Sequence, residues 1–106
     1  MRENPKIPTK DLVCEIDNLV EDIQIKSILV QKQKIDTIFA EKIIPLLFEI
    51  KTSIEIEYFS QLDLREKINF CLSTTSDIVD IDSDYAPFYS RIRVLRENIL
   101  LRLSGK

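Results

Sequence analysis

The residues with the strongest claim to chemistry are the carboxylates of Asp80-Ile81-Asp82-Ser83-Asp84 and the arginines that follow, Arg91, Arg93, Arg96 and Arg102. Alternating aspartates open a calcium loop, but that loop needs glycine at its sixth position and a bidentate glutamate at its twelfth. This chain has Tyr85 and Arg91 there, so the stretch reads as helix-capping carboxylates. Arg91, Arg93 and Arg96 are candidate anion contacts. Their spacing does not keep them on one narrow stripe and Glu97 interrupts them, so they read as a solvated face paired with acidic neighbours rather than a phosphate-binding patch. Tyr85, Phe88 and Tyr89 cluster beside the acidic stretch and read as core or interface anchors rather than a base-stacking platform.

Histidine is absent, which removes the neutral-pH proton shuttle and the commonest transition-metal ligand together. No Ser-His-Asp or Cys-His pair can be assembled. The two cysteines, Cys14 and Cys71, lie in apolar helical contexts far apart in sequence and read as two buried, reduced thiols. Ser73-Thr74-Thr75-Ser76-Asp77 offers hydroxyls for phosphate, but inside a helix such hydroxyls also bond back to the preceding turn. The expectation is a protein that is not an enzyme, with no metal, no cofactor and no small-molecule substrate.

The elements that position these residues are helices. The chain is 44% hydrophobic and 31% charged with a net charge of −3, enough apolar surface for a core and no general attraction to nucleic acid or anionic lipid. Its single glycine is Gly105, so folds that rely on glycine loops for phosphates or tight turns are disfavoured. The polar, proline-bearing start has no apolar signal-peptide region, and the longest apolar run, Ile43 to Phe48 around Pro45, is too short to span a bilayer. Cytoplasmic residence is expected.

Residues 1–8 read as a flexible tail and 9–106 as one helical domain. Thr9 is the first candidate N-cap. Leu12, Ile16, Leu19 and Ile23 then recur at spacings of four, three and four, with acidic residues outside the seam. The register blurs at Lys26 and resumes through Val30, Ile35, Phe39, Ile43, Leu46 and Ile50. No glycine or proline separates Thr9 from Ile44, so one long helix is expected over about 9–44, with a kink or tight break at Pro45. Thr52 to Phe59 alternates like a strand, but a lone strand has no partner, and a helix is expected over about 46–59. Ser60 caps the next helix, about 61–80, with Asp63 completing a capping box and Phe59 and Leu64 a hydrophobic staple. Its seam is Leu64, Ile68, Cys71, Thr75 and Ile78. A turn at about 81–86 leads into a last helix, about 86–103, through Phe88, Ile92, Leu95 and Ile99, with Gly105 placed to end it.

The segment Ile78-Val79-Asp80-Ile81-Asp82-Ser83-Asp84-Tyr85, followed by Phe88, Tyr89, Arg91-Ile92-Arg93, Leu95 and Arg96, resembles the KxDL family. These are small helical subunits of lysosome-positioning and lysosome-related-organelle complexes. Asp84 matches the signature aspartate and Tyr85 stands for its leucine, whereas Asp82 replaces its lysine. The resemblance covers about a fifth of the chain. It implies a non-catalytic subunit of a rod-like heteromeric assembly, peripheral to endolysosomal membranes through its partners, and it identifies no binding residue.

The fold class expected is all-α, three or four helices in a bundle or a long kinked hairpin with coiled-coil-like seams. The candidate seam residues, in the core or against a partner, are Leu12, Ile16, Leu19, Ile23, Phe88, Ile92, Leu95 and Ile99. Narrow seams over long helices bury poorly in a short chain alone, which points to a structural or adaptor subunit packed against other helical chains, in a hetero- or homo-oligomer. The alternative is a self-contained four-helix bundle that binds and neutralises a target, as immunity and antitoxin proteins do. A nucleic-acid-associated protein using the arginines of 91–102 comes third.

Overall fold

The computed structural model describes residues 9–56 and 60–104, with side chains through Arg102. Its elements are α1 (Thr9–Val30), α2 (Gln33–Ile38), a π-helical turn (Phe39–Ile43), α3 (Ile44–Ile56), α4 (Gln61–Ile81), a 3-10 turn (Ser83–Tyr85) and α5 (Ala86–Ser104). Because α2, the π turn and α3 follow without a gap, they make one rod. The molecule is therefore an all-α bundle of four rods, up and down. The α1 rod lies beside α3 and α5, and α4 lies beside the same two.

The long helix expected over 9–44 is instead broken at Gln31, which takes a left-handed backbone with φ of 59°. Its N–H donates to the Ser27 carbonyl at 3.0 Å, and its side-chain amide donates to the Ile28 carbonyl, closing the end of α1. Lys32 then adopts an extended conformation, and its carbonyl accepts from the Asp36 N–H at 2.8 Å to start α2. A glutamine there costs about 1–2 kcal/mol relative to right-handed backbone. The turn is held by contacts from elsewhere, chiefly an ion pair from Lys32 to Asp82 at the far end of α4.

At Pro45, where a kink or a tight break is expected, there is no break. The rod passes through it unbroken, because the turn just before it is widened: the Ile44 N–H bonds the Phe39 carbonyl, five residues back. A π turn accommodates the missing proline N–H and the ring without ending the helix. It also sets the core phase. Ile35, Phe39, Ile43 and Leu47 are buried at three successive steps of four, each of which drifts about 40° on an ideal α-helix. The wider turn absorbs this drift, so Leu47, rather than the expected Leu46, enters the core.

The α4 start follows its sequence signal. Ser60 is extended, and its hydroxyl accepts from the Asp63 N–H at 3.2 Å. At the other end Asp82 leaves the helix and caps the 3-10 turn, its carboxylate accepting from the Asp84 N–H at 3.0 Å. Pro87 sits in the first turn of α5, where its missing donor costs nothing. The segment 52–56 is helical, with no strand among the described residues. The tail assigned to 1–8, the staple residue Phe59 and the stop at Gly105 lie outside the described residues.

One continuous core fills the bundle. Leu12, Ile16, Leu19, Val20 and Ile23 of α1 meet Leu47, Ile50 and Ile54 of α3, Leu64, Ile68, Cys71 and Ile78 of α4, and Ile92, Leu95 and Ile99 of α5. Near the α4–α5 corner the core turns aromatic. The Phe39 ring stacks on Tyr85 at 5.8 Å between centroids, and Phe88 meets Phe39 edge-on at 5.9 Å. Each neighbouring pair of rods is also laced by a polar contact: Asp17 to Lys51 at 2.8 Å, Glu49 to Lys67 at 3.0 Å, Asn69 to Arg96 at 2.6 Å and Asp22 to Arg91 at 2.6 Å. Exposed pairs of this kind contribute at most about 1 kcal/mol each. Their use is to fix which rods are neighbours and at what height.

Candidate interaction surface

All eight seam residues, Leu12, Ile16, Leu19, Ile23, Phe88, Ile92, Leu95 and Ile99, lie in the core of this chain. The seams close on each other, so an open seam is not what a partner would meet. The arginines disperse. Arg91 reaches α1 at Asp22, Arg96 reaches α4 at Asn69, and Arg93 is exposed on α5. Arg102 donates to the Thr9 hydroxyl. The three candidate anion contacts are not brought together.

In the acidic stretch the central carboxylate, Asp82, is occupied. Asp82 is tied to Lys32 and to the Asp84 amide, which hold its carboxyl below the usual carboxylate range, while Lys32 is raised in return. Among the described residues no group of three His, Cys, Asp or Glu side chains could hold a metal ion. Burial alone pushes the Cys71 thiol up to about 12, and its Sγ lies 3.9 Å from the Ile43 carbonyl. Cys14, expected to be buried, is exposed: it lies on the outer face of α1, away from the seam that covers Cys71. Thr75 is buried and its hydroxyl donates to the Cys71 carbonyl at 2.7 Å, the back-bonding expected of a mid-helix threonine.

What the seam spacing missed is the outer face of α1. Continuing the seam beyond Ile23 leads to Lys26, Ser27 and Val30, which face inward or end the helix. Ile25, Ile28 and Leu29 fall on the opposite side, and their side chains are 46%, 70% and 76% exposed. Spaced i, i+3 and i+4, they form one strip. The signal was legible as the loss of register at Lys26: apolar residues continue there, but out of phase with the core.

Lys26, by contrast, turns toward the bundle, its Nζ 4.9 Å from the Tyr85 ring centroid. Below the apolar strip the same face is acidic. From Asp11 to Ile25 the sequence has five carboxylates and no base. Asp17 and Asp22 are committed to Lys51 and Arg91. Asp11, Glu15 and Glu21 are exposed. Beside this face, between α1 and α5, runs a shallow groove of about 330 Å³ in which Leu19, Val94 and Leu95 meet Glu15 and Arg91.

Comparison with protein-family models, curated proteins and solved structures finds no match. Among the described residues, no helix is long and apolar enough to cross a membrane.

Proposed function

We propose that this chain is a non-catalytic interaction module, a self-closed four-helix bundle that docks on another helical protein through the outer face of α1. The observation that carries this reading is the strip of Ile25, Ile28 and Leu29. Three large aliphatic side chains at helical spacing present on the order of 300 Å² of contiguous apolar surface, the size of the largest patch on an ordinary monomer, which is often functional. An isolated α1 gains nothing from them, since the core is filled by the other side of the helix. The adaptor role expected from open seams is here proposed on different residues.

Closure of the seams favours a second form of the same reading, in which the bundle binds a target to neutralise it. The two differ in whether the target loses an activity when bound. The KxDL resemblance would set the module in the cytoplasm among the subunits of an endolysosomal assembly. In this fold that segment is the corner between α4 and α5, where Tyr85 is a core side chain, so the likeness supports no contact residue.

The test is site-specific photo-crosslinking in the native cell. A photoreactive side chain at Ile28 should give a defined protein adduct, and the same group at Ser73, exposed on α4, should not. Unmodified chain alone at position 28 would overturn the reading.

A further inference from the structure

We infer that the outer strip of α1 accepts a basic amphipathic helix from another protein: apolar residues at one end, lysines or arginines along the next three turns. This deepens the proposed function and rests on it. The strip has two chemistries in sequence, and both constrain the occupant. Ile25, Ile28 and Leu29 supply an apolar anchor next to the Gln31 corner. Asp11, Glu15 and Glu21 extend from it along the same face with no base between Asp11 and Ile25. At 1.5 Å per residue the strip from Asp11 to Leu29 is about 27 Å long, matching a partner helix of about 18 residues.

Charge decides among the occupants. An anionic membrane would accept the apolar end but be repelled by the carboxylates beside it, and nucleic acid would be repelled by the whole face. A second copy laid parallel along α1 would set acidic face against acidic face, and an antiparallel copy would set each apolar end against the other's carboxylates. A helix with apolar anchors and a basic flank matches the apolar end and the acidic run in one register. Of the nearby cations, Arg91 is spent on Asp22 and Lys51 on Asp17, and Lys10 lies at the far end of the run, beyond Asp11.

The experiment uses the full chain as bait for a displayed library of 18-residue helical peptides randomised on one face. The expected result is enrichment of apolar residues at one end and Lys or Arg beyond them. Selected peptides should bind about tenfold more weakly at 500 mM than at 50 mM salt. The Ile28→Gln/Leu29→Gln double variant should cost at least about thirtyfold in affinity. Charge reversal by Glu15→Lys/Glu21→Lys should cost about tenfold. All four positions are exposed, and circular dichroism melts of both variants report whether the bundle is intact.

No enriched peptide, or enriched peptides indifferent to charge reversal, would overturn the inference. So would binding of the chain to phosphatidylserine vesicles through these residues. A concentration-dependent dimer in sedimentation, abolished by Ile28→Gln/Leu29→Gln, would identify a second copy as the occupant and also overturn it. In each of these cases the adduct at Ile28 still reports separately on whether α1 is a contact face.

Discussion

The ammonium of Lys26 lies 4.9 Å from the centroid of the Tyr85 ring, and the hydroxyl of that ring is buried with no hydrogen-bond partner among the described residues. The ring is favourably placed on both faces of its chemistry, against Phe39 and under a cation. The hydroxyl is not. Burial first, then the charges of Asp36 and Asp82, push it above the ordinary phenol range. Tyr85→Phe keeps the ring and removes the orphan, so it should stabilise the bundle by about 1 kcal/mol. In a domain of this size that is a rise in Tm of roughly 4–8 °C. A lower Tm by calorimetry would show that the hydroxyl has a partner of real value.

The left-handed Gln31 gives the second prediction. Gln31→Gly removes the steric cost of that backbone at the expense of a floppier unfolded chain. The balance should be about 0.5–1 kcal/mol of stabilisation, read as a higher urea midpoint at unchanged slope. Gln31→Val, branched at Cβ, should move the midpoint the other way. Equal midpoints for both variants would mean that the corner is not left-handed.

Acid should act through Asp82. Its folded pKa is depressed, so its contribution is complete above the unfolded value near 3.9 and is lost as pH falls through the lower folded value. Lys32 is raised, so its share holds below its ordinary value and is lost only in strong alkali. Asp82→Asn keeps an acceptor for the Asp84 amide but removes the charge. The gap in Tm between wild type and Asp82→Asn should be constant above about pH 5 and close below about pH 4. A gap that does not narrow at all as the pH falls below about 4 would remove the ion pair from the account.

The two thiols should differ sharply. Cys14 is open to reagent, whereas Cys71 is enclosed and held protonated by burial. A chromogenic disulfide reagent should titrate one thiol per chain quickly in the native protein and two in denaturant. Fast reaction of both in the native state would mean that the core around Ile43 and Cys71 opens readily.

Much of the bundle was legible because local and global signals agree. The spacing of Leu12, Ile16, Leu19 and Ile23 is a helix seam wherever it occurs, and Ser60 with Asp63 starts α4 through bonds made within four residues. The corner at Gln31 was not legible, because glutamine has no turn preference and the position is held by Asp82, fifty residues away. Pro45 misled in the opposite direction. Its local cost is real, but a single widened turn absorbs it, and that turn is dictated by where Phe39, Ile43 and Leu47 must point. The exposed strip was half visible: Ile25, Ile28 and Leu29 read as a blurred seam until the core showed which side of α1 was already taken.

The polar contacts between neighbouring rods bear on how the chain could be divided. Asp17 with Lys51 joins the first two rods, and Asn69 with Arg96 joins the last two, so each half is a hairpin with its own internal tie. The halves meet through Glu49 with Lys67 and Asp22 with Arg91, and through Thr9 and Arg102 near the chain ends. Because one core spans both halves and these contacts set their register, a polypeptide nicked between Ile56 and Ser60 should stay together as two interlocked fragments, a natural design for a split reporter whose reassembly leaves the outer face of α1 free.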